Sequence, residues 1–241
     1  MTHAFARRGA LGVLGGMGPL ATADFFAKLV AVTPTARDEE HVPVVLASLP
    51  DIPPRVPAIL GHGESPLPAL IDARDRLLAA GASLLAMPCN TAHHWFDALA
   101  QCPVPMLHIA DAAVGALREA VAAPAAIGLV ATRGTLHSGF YERRLALAGY
   151  SLIEPSEGEL SRTIEPAIAA VKSGAVRAGG EGFQQAARAL AARGARAVIL
   201  ACTEVPPALA AAGPPPGIAC VDATEALARA CVTAWRGMVD A

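Results

Sequence analysis

The sequence predicts an α/β fold of two similar lobes, each a mainly parallel sheet flanked by helices, related by an internal pseudo-twofold. Three observations carry that expectation. Short apolar runs alternate along the chain with amphipathic segments of ten or more residues, the pattern of βαβ units around parallel strands. Two pairs of motifs recur in the same order at nearly the same spacing, the signature of a duplication. The 241 residues, 54% hydrophobic and 17% charged, are enough for a sizeable buried core.

In the first half, GALGVLG (9–15) precedes LATADFFAKLVAV (20–32), and VPVVLAS (42–48) precedes a Pro-rich loop and LPALIDARDRLLAAG (67–81). SLLAMP (83–88) then leads into TAHHWFDALA (91–100), and VPMLHIA (104–110) into DAAVGALREAV (111–121). The short runs read as strands and the amphipathic ones as helices. The second half repeats the rhythm with AAIGLVAT, HSGFYERRLALAG, YSLIEP, LSRTIEPAIAAVKSG, GFQQAARALAARG, ARAVILA and a last TEALARACVTAWRGM. Aromatic residues are 4% of the chain, so much of the apolar content is small side chains on helices.

The repeat is specific in two places. RDRLLAAGASLLAMPCNTA and ARALAARGARAVILACTEV both run helix, glycine, strand, cysteine and threonine-containing turn, with Gly81 eight residues before Cys89 and Gly194 eight before Cys202. GVLGGMGPL (12–20) matches GLVATRGTL (128–136) in apolar pattern, with Gly18 opposite Gly134. The offsets, 113 and 116 residues, argue for one lobe over 1–112, with a C-terminal helix at 222–241 packing back on it, and a second lobe over 113–221.

The N-terminal stretch ARRGALGVLGGMGPLATADFF admits two readings. Arg7-Arg8, an apolar run and Ala21-Thr22-Ala23 resemble an export leader with its cleavage site. The internal counterpart at 128–136, and five glycine and proline residues that break a leader's helix, favour a strand and turn of the folded protein.

Charge and cysteines narrow the functional classes. Nineteen Lys+Arg against 21 Asp+Glu leave a net charge of −2 with no basic cluster among aromatics, so a nucleic-acid partner is not expected. The apolar runs are interrupted before the ~20 residues of a membrane-spanning helix. Five cysteines, an odd number without a tight spacing, argue for reduced thiols and a cytoplasmic location.

Open parallel sheets bind ligands at the carboxyl ends of their strands. The turn Gly15-Gly16-Met17-Gly18 lies at such an end. It is neither a dinucleotide fingerprint nor a phosphate loop, but its bare backbone suits a small carboxylate. Cys89 and Cys202 end strands in duplicated positions and precede helices, where the dipole is expected to lower a thiol's pKa. Cys102, Cys220 and Cys231 read as small buried hydrophobes. A zinc site from Cys89 with His93 or His94 would have no counterpart in the second half, so no metal is expected. His93, His94, His108 and His137 read as surface, capping or packing residues. Under a pseudo-twofold the two thiols would face one small molecule from opposite sides, the arrangement for removing a proton from one face of a carbon and returning one to the other.

GVLGGMGPLATADFFAKLV, MPCNTAH, GLVATRGTL and ILACTE closely resemble the aspartate racemases of the aspartate/glutamate racemase superfamily, from about Gly9 to Leu227. The resemblance implies a two-lobed, cofactor-independent enzyme, often a homodimer, that racemises a small amino acid, most simply aspartate. It implies Cys89 and Cys202 as acid and base, and Asn90, Thr91, Thr132 and Thr203 as contacts to the carboxylate or ammonium. It further implies Arg55 and Lys172 as cations for an acidic side chain, Met17 and Thr135 as lining residues, and Glu204 beside the second thiol. The chain reads Ile52-Pro53-Pro54-Arg55 where the family often has Ile-Pro-Asp-Arg, so the loop carrying Arg55 is expected to differ in shape. Broad-specificity racemisation, maleate-type isomerisation, and amino-acid binding without catalysis are the alternatives on the same scaffold.

Overall fold

The computed structural model describes residues 9–239. The chain divides into two compact units, Met1–Ile109 with Thr224–Ala241, and Ala110–Ala223.

The first unit is built on β1 (Ala10–Gly15), β2 (Val44–Ser48) and β3 (Ala82–Ala86), in the order β2-β1-β3 with all pairings parallel. Every residue of the central β1 is buried, as a parallel strand covered on both faces requires. Its helices are α1 (Pro19–Ala31), a short α2 (Arg55–Ile59), α3 (Leu67–Ala79) and α4 (Phe96–Leu99), the last entered through a 3₁₀ turn at Thr91–Trp95. Residues 10–31, which also resemble a leader, thus form the central strand and first helix of this unit; Arg7 and Arg8 lie outside the described residues.

The second unit contains α5 (Ile109–Ala120), β4 (Ala126–Ala131), α6 (Arg133–His137), α7 (Phe140–Leu147) and β5 (Ser151–Ile153). Next comes α8, which starts at Glu157–Glu159, passes through a π-helical stretch at Leu160–Ile164 and continues over Glu165–Lys172. Then follow α9 (Val176–Ala192), β6 (Ala197–Ala201), α10 (Val205–Ala212) and β7 (Ala219–Asp222). The sheet order is β5-β4-β6-β7, again parallel throughout. The last helix, α11 (Ala223–Val239), is tied to the first unit: the Trp235 indole donates to the Gly9 carbonyl at 3.4 Å and Arg236 to the Pro34 carbonyl at 3.1 Å.

The β1–β3 and β4–β6 pairings repeat each other from Leu11 and Ile127 onward. Gly12 pairs with Leu85 as Gly128 pairs with Val198, and Val13 with Ala86 as Leu129 with Ile199, at the offsets of 116 and 113 seen in the sequence. Leu85 bridges to Met106 as Val198 pairs with Cys220. The cores match too: Leu77, Leu85, Met87 and Cys89 in one, Leu190, Val198, Leu200 and Cys202 in the other. A Cβ on Gly12 would lie 3.3 Å from the Leu77 Cβ and 2.7 Å from Leu85, and one on Gly128 would lie 3.0 Å from the Leu190 Cβ. Gly81 and Gly194 end α3 and α9 with φ of +91° and +98°, the left-handed conformation that glycine adopts without a Cβ penalty.

Several segments differ from expectation, each for a local reason. VPMLHIA forms only the isolated bridge at Met106 rather than a strand, because Pro103 and Pro105 have no N–H to extend a ladder. Arg55–Ile59 is a short helix within the expected Pro-rich loop. β7 is a strand for which the sequence gives no expectation, whereas α10 is the helix expected after Cys202, with proline in its first turn, where its missing N–H costs nothing. α9 begins before the expected Gly182, through Gly179 and Gly180. A Cβ on Gly180 would come within 2.3 Å of the Ala208 carbonyl and one on Gly179 within 2.5 Å of Val171, so these glycines let α9 lie against α10 and α8.

The β1 turn is equally constrained. Gly16 has φ of +92°, and a Cβ there would lie 2.2 Å from the Leu49 backbone nitrogen. Gly61 has φ of +83° with open space around it. Gly61→Ala should therefore destabilise by no more than about 1–2 kcal/mol, the cost of a left-handed L-residue. Gly16→Ala should cost clearly more; equal urea midpoints for the two variants would refute the Leu49 contact as the cause.

Candidate active site

In the first unit, the residues singled out from sequence lie just beyond the carboxyl ends of β1, β2 and β3. The turn after β1 is held by Thr22, whose hydroxyl accepts from the Gly16 N–H at 2.8 Å and donates to the Gly18 carbonyl at 3.0 Å. Met17 is buried in the same core as Ile52, Met87 and Cys89. Arg55 is the first residue of α2, half-buried, and its Nη1 donates to the Ile52 and Pro53 carbonyls, both at 3.1 Å. With Pro54 in the N-cap position, the guanidinium closes this loop, and Arg55 has no ion-pair partner among the described residues.

Cys89, Asn90 and Thr91 are all buried in the turn after β3. That turn is anchored by His93, itself buried in the 3₁₀ segment. Its Nε2 accepts from the Ile109 N–H at 3.1 Å, which leaves the proton on Nδ1 to be donated to the Cys89 carbonyl at 2.9 Å. The ring is stacked on Phe96 and tilted against His108, so the packing role expected of His93 is accompanied by a hold on the backbone of Cys89. No spacing in the sequence distinguishes it from its neighbour His94.

In the second unit, Thr132 follows β4 and caps α6, accepting from the Thr135 N–H at 3.2 Å, while the two hydroxyls lie 3.0 Å apart. On the adjacent strand, β6 runs directly into Cys202, Thr203 and Glu204, with Glu204 at the N-cap of α10. The Cys202 thiol donates to Glu204 Oε2 at 2.9 Å, the Thr203 hydroxyl donates to the same oxygen at 3.4 Å, and Lys172 Nζ, at the end of α8, stands 3.8 Å from Glu204 Oε1. Gln184, on α9, donates to the Ala212 and Gly213 carbonyls at 3.0 and 2.9 Å and so secures the far end of α10.

Two expectations change here. The helix N-terminus does not lower the Cys202 pKa: burial, followed by the Glu204 negative charge and hydrogen bond, pushes it well above the ordinary thiol range, and the more distant Lys172 ammonium offsets only part of this. Lys172 is largely exposed and is placed toward Glu204, so its charge is shared with a protein carboxylate before any ligand arrives. Burial alone raises Cys220 to about 11 and Cys231 to about 12; of the three cysteines expected to be buried, Cys231 is, whereas Cys102 and Cys220 are half-buried at the edges of the two cores.

Among the described residues, no group of three or more His, Cys, Asp or Glu side chains could hold a metal ion, no disulfide joins the cysteines, and no helix is long and apolar enough to cross a membrane. The arrangement is two equivalent buried strand-end thiols, each beside hydroxyl or amide side chains, with one carboxylate in contact with the second.

Residues 14–231 match the family described as Asp/Glu/hydantoin racemase. The chain belongs to this family. Its fold is that of the Picrophilus torridus aspartate racemase, with a TM-score of 0.81 and 28% identity over 97% of this chain and 100% of that one. The broad specificity amino-acid racemase RacX of Bacillus subtilis (strain 168) is 28% identical over 167 residues, 67% of this chain and 70% of RacX. A glutamate racemase, isoform RacE1 from Bacillus anthracis, shares the fold alone, at a TM-score of 0.65 and 17% identity over 96% of this chain and 83% of that one. As a racemase-family protein the chain is an isomerase.

The thiol environment makes a direct prediction. Thiolate is the alkylated form, and the Cys202 pKa is raised, so iodoacetamide labelling of Cys202 should be slow at neutral pH and still accelerating above pH 9. Peptide mapping that finds Cys202 labelled at neutral pH as fast as a small-molecule thiol would contradict the assigned environment.

Proposed function

We propose that the chain is a cofactor-independent amino-acid racemase that acts on aspartate or a close relative, with Cys89 and Cys202 as its acid and base. The observation that carries this reading is the equivalence of the two thiols: each follows the same strand of a duplicated unit, in the same core position. Inverting a carbon by proton transfer needs one base and one acid on opposite faces, and a duplicated strand end supplies two chemically identical groups that exchange these roles with direction. The α-proton of an amino acid is weakly acidic. Without an electron sink, the developing charge must be met by donors aimed at the substrate carboxylate, and Asn90, Thr91, Thr132, Thr203 and the glycine turn are the groups assigned to it. Met17 and Thr135 are proposed to line the site.

Arg55 is the proposed reader of an acidic side chain, because its guanidinium is positioned by two carbonyls and lacks an ion-pair partner among the described residues. The likeness to the P. torridus aspartate racemase supports this choice of substrate. One observation favours a second reading: of the two candidate cations Lys172 already faces Glu204, leaving Arg55 alone to read a side-chain carboxylate, and one relative is a broad specificity racemase. The reading includes a homodimer in the cytoplasm.

Loss of optical rotation from L-aspartate by the dialysed, chelator-treated protein tests the activity and its independence from metal and pyridoxal phosphate together. Activity that returns only on adding either would refute the cofactor-free part. Cys89→Ser and Cys202→Ser should each abolish racemisation, because a serine hydroxyl is far too weakly acidic to replace a thiol. Cys102→Ser, Cys220→Ser and Cys231→Ser should retain most of it. Binding of aspartate with no α-proton exchange into deuterated solvent would favour a binding protein on this scaffold.

Removing a charge-assisted contact costs ~1.5–3 kcal/mol, so Arg55→Ala should lower kcat/KM for aspartate by roughly ten- to hundredfold and leave alanine or homoserine much less affected. Equal losses for all substrates, or a wild-type preference for a neutral amino acid, would select the broad-specificity reading.

A further inference from the structure

The Cys202 side of the site contains more than a thiol. One oxygen of Glu204 accepts the Cys202 S–H at 2.9 Å, the other lies 3.8 Å from the Lys172 ammonium, and the carboxylate side chain is only 11% exposed. Cys202 and Glu204 stand two residues apart in the turn between β6 and α10, whereas Lys172 ends α8, so tertiary packing brings the ammonium to a carboxylate already beside the sulfur. We propose that Glu204 is the proton partner of Cys202, taking the thiol proton when the sulfur acts as base and returning it when the sulfur acts as acid, with Lys172 as the positioning residue on the other carboxylate oxygen. This inference rests on the two-thiol racemase reading above.

The protons balance in both directions. In one, the Cys202 S–H proton moves to Glu204 Oε2. The thiolate then takes the α-proton, forming S–H as the Cα–H bond breaks and its electron pair stays on the substrate, and Cys89 delivers its own S–H proton to the opposite face. This leaves Cys89 as thiolate and Glu204 as carboxylic acid. In the reverse direction Cys89 takes the α-proton, Cys202 gives its proton to Cα, and Glu204 reprotonates the sulfur. No oxidant or cofactor enters.

A buried thiol that had to ionise alone would be almost inert at neutral pH, because burial and the adjacent carboxylate both oppose a second negative charge. Internal transfer avoids that state: the pair carries one negative charge before and after the proton moves, and only its location changes. The charged groups that act on the thiol are Glu204 and Lys172; Glu165, midway along the same helix α8, is held by Arg133 at 3.1 Å. Lys172 thus acts on the reaction through Glu204, beyond any part in reading a substrate side chain.

The test is the pH dependence of kcat/KM and the α-deuterium isotope effect for each enantiomer. Wild type should be nearly flat from neutral to mildly alkaline pH, because the pair already holds its single proton. Glu204→Gln can still accept the thiol hydrogen bond but cannot accept its proton. It should fall by about 10²-fold or more at neutral pH, climb about tenfold per pH unit, and show a larger isotope effect with the enantiomer that Cys202 deprotonates. Lys172→Met should move the acid limb of the profile upward, and Lys172→Arg should restore it. Glu204→Ala should regain activity with added formate but not with chloride, and Glu204→Asp should retain part, which keeps the proposal decidable if one variant fails to fold. A Glu204→Gln profile parallel to wild type, or no formate rescue, would overturn the inference while leaving the racemase intact. A wild type that exchanges no α-proton would instead overturn the racemase reading itself.

Discussion

A glycine in the middle of each central strand sets the geometry on which both units depend. At Gly12 and Gly128 a side chain would meet the leucine of a covering helix, Leu77 or Leu190, and its neighbour on the adjoining strand, Leu85 or Val198. Helix and sheet therefore approach more closely than any larger residue would permit, and overfilling such a contact costs typically 1–3 kcal/mol. The same helices end in left-handed glycines that feed directly into β3 and β6. Strand register, helix seating and the point at which each strand delivers its cysteine are thus one connected constraint, present twice.

The two thiols leave these equivalent positions with different neighbours. Cys89 sits in a turn whose carbonyl is gripped by a neutral His93, and that histidine's tautomer is set by the Ile109 N–H. Cys202 is in contact with a carboxylate that is itself within ion-pair range of a lysine. In a buried environment the second arrangement holds the thiol protonated, the opposite of what a cysteine preceding a helix suggests. The helix dipole acts through partial charges at the helix end, whereas Glu204 contributes a full charge at hydrogen-bond distance and burial removes the water that would screen it.

Where local rules and tertiary contacts agree, the sequence was readable. β1, β4 and β6 are short apolar runs and became buried parallel strands, and the 116- and 113-residue offsets reappear as identical pairing registers. Where packing overrides propensity, it was not. Three glycines in seven residues argue against a helix at Val176–Gly182, yet α9 runs through them because α8 and α10 press against that face. Conversely VPMLHIA has the apolar character of a strand, but Pro103 and Pro105 interrupt the donors before Met106 and α5 begins at Ile109, so only a bridge forms.

By itself, the sequence determined the α/β class, the duplication, and which strand ends present a thiol, because these follow from hydrophobic periodicity and from the spacing of glycine and cysteine along the chain. Only the tertiary structure decided the burial and charge environment around them: that the Glu204 carboxylate accepts the Cys202 S–H in a buried setting, that Lys172 faces Glu204, and that Arg55 is held by the carbonyls of Ile52 and Pro53. The physical reason is range. Secondary structure and register are encoded in neighbours a few residues apart, whereas the protonation state of a buried group depends on desolvation and on charges brought beside it from distant segments.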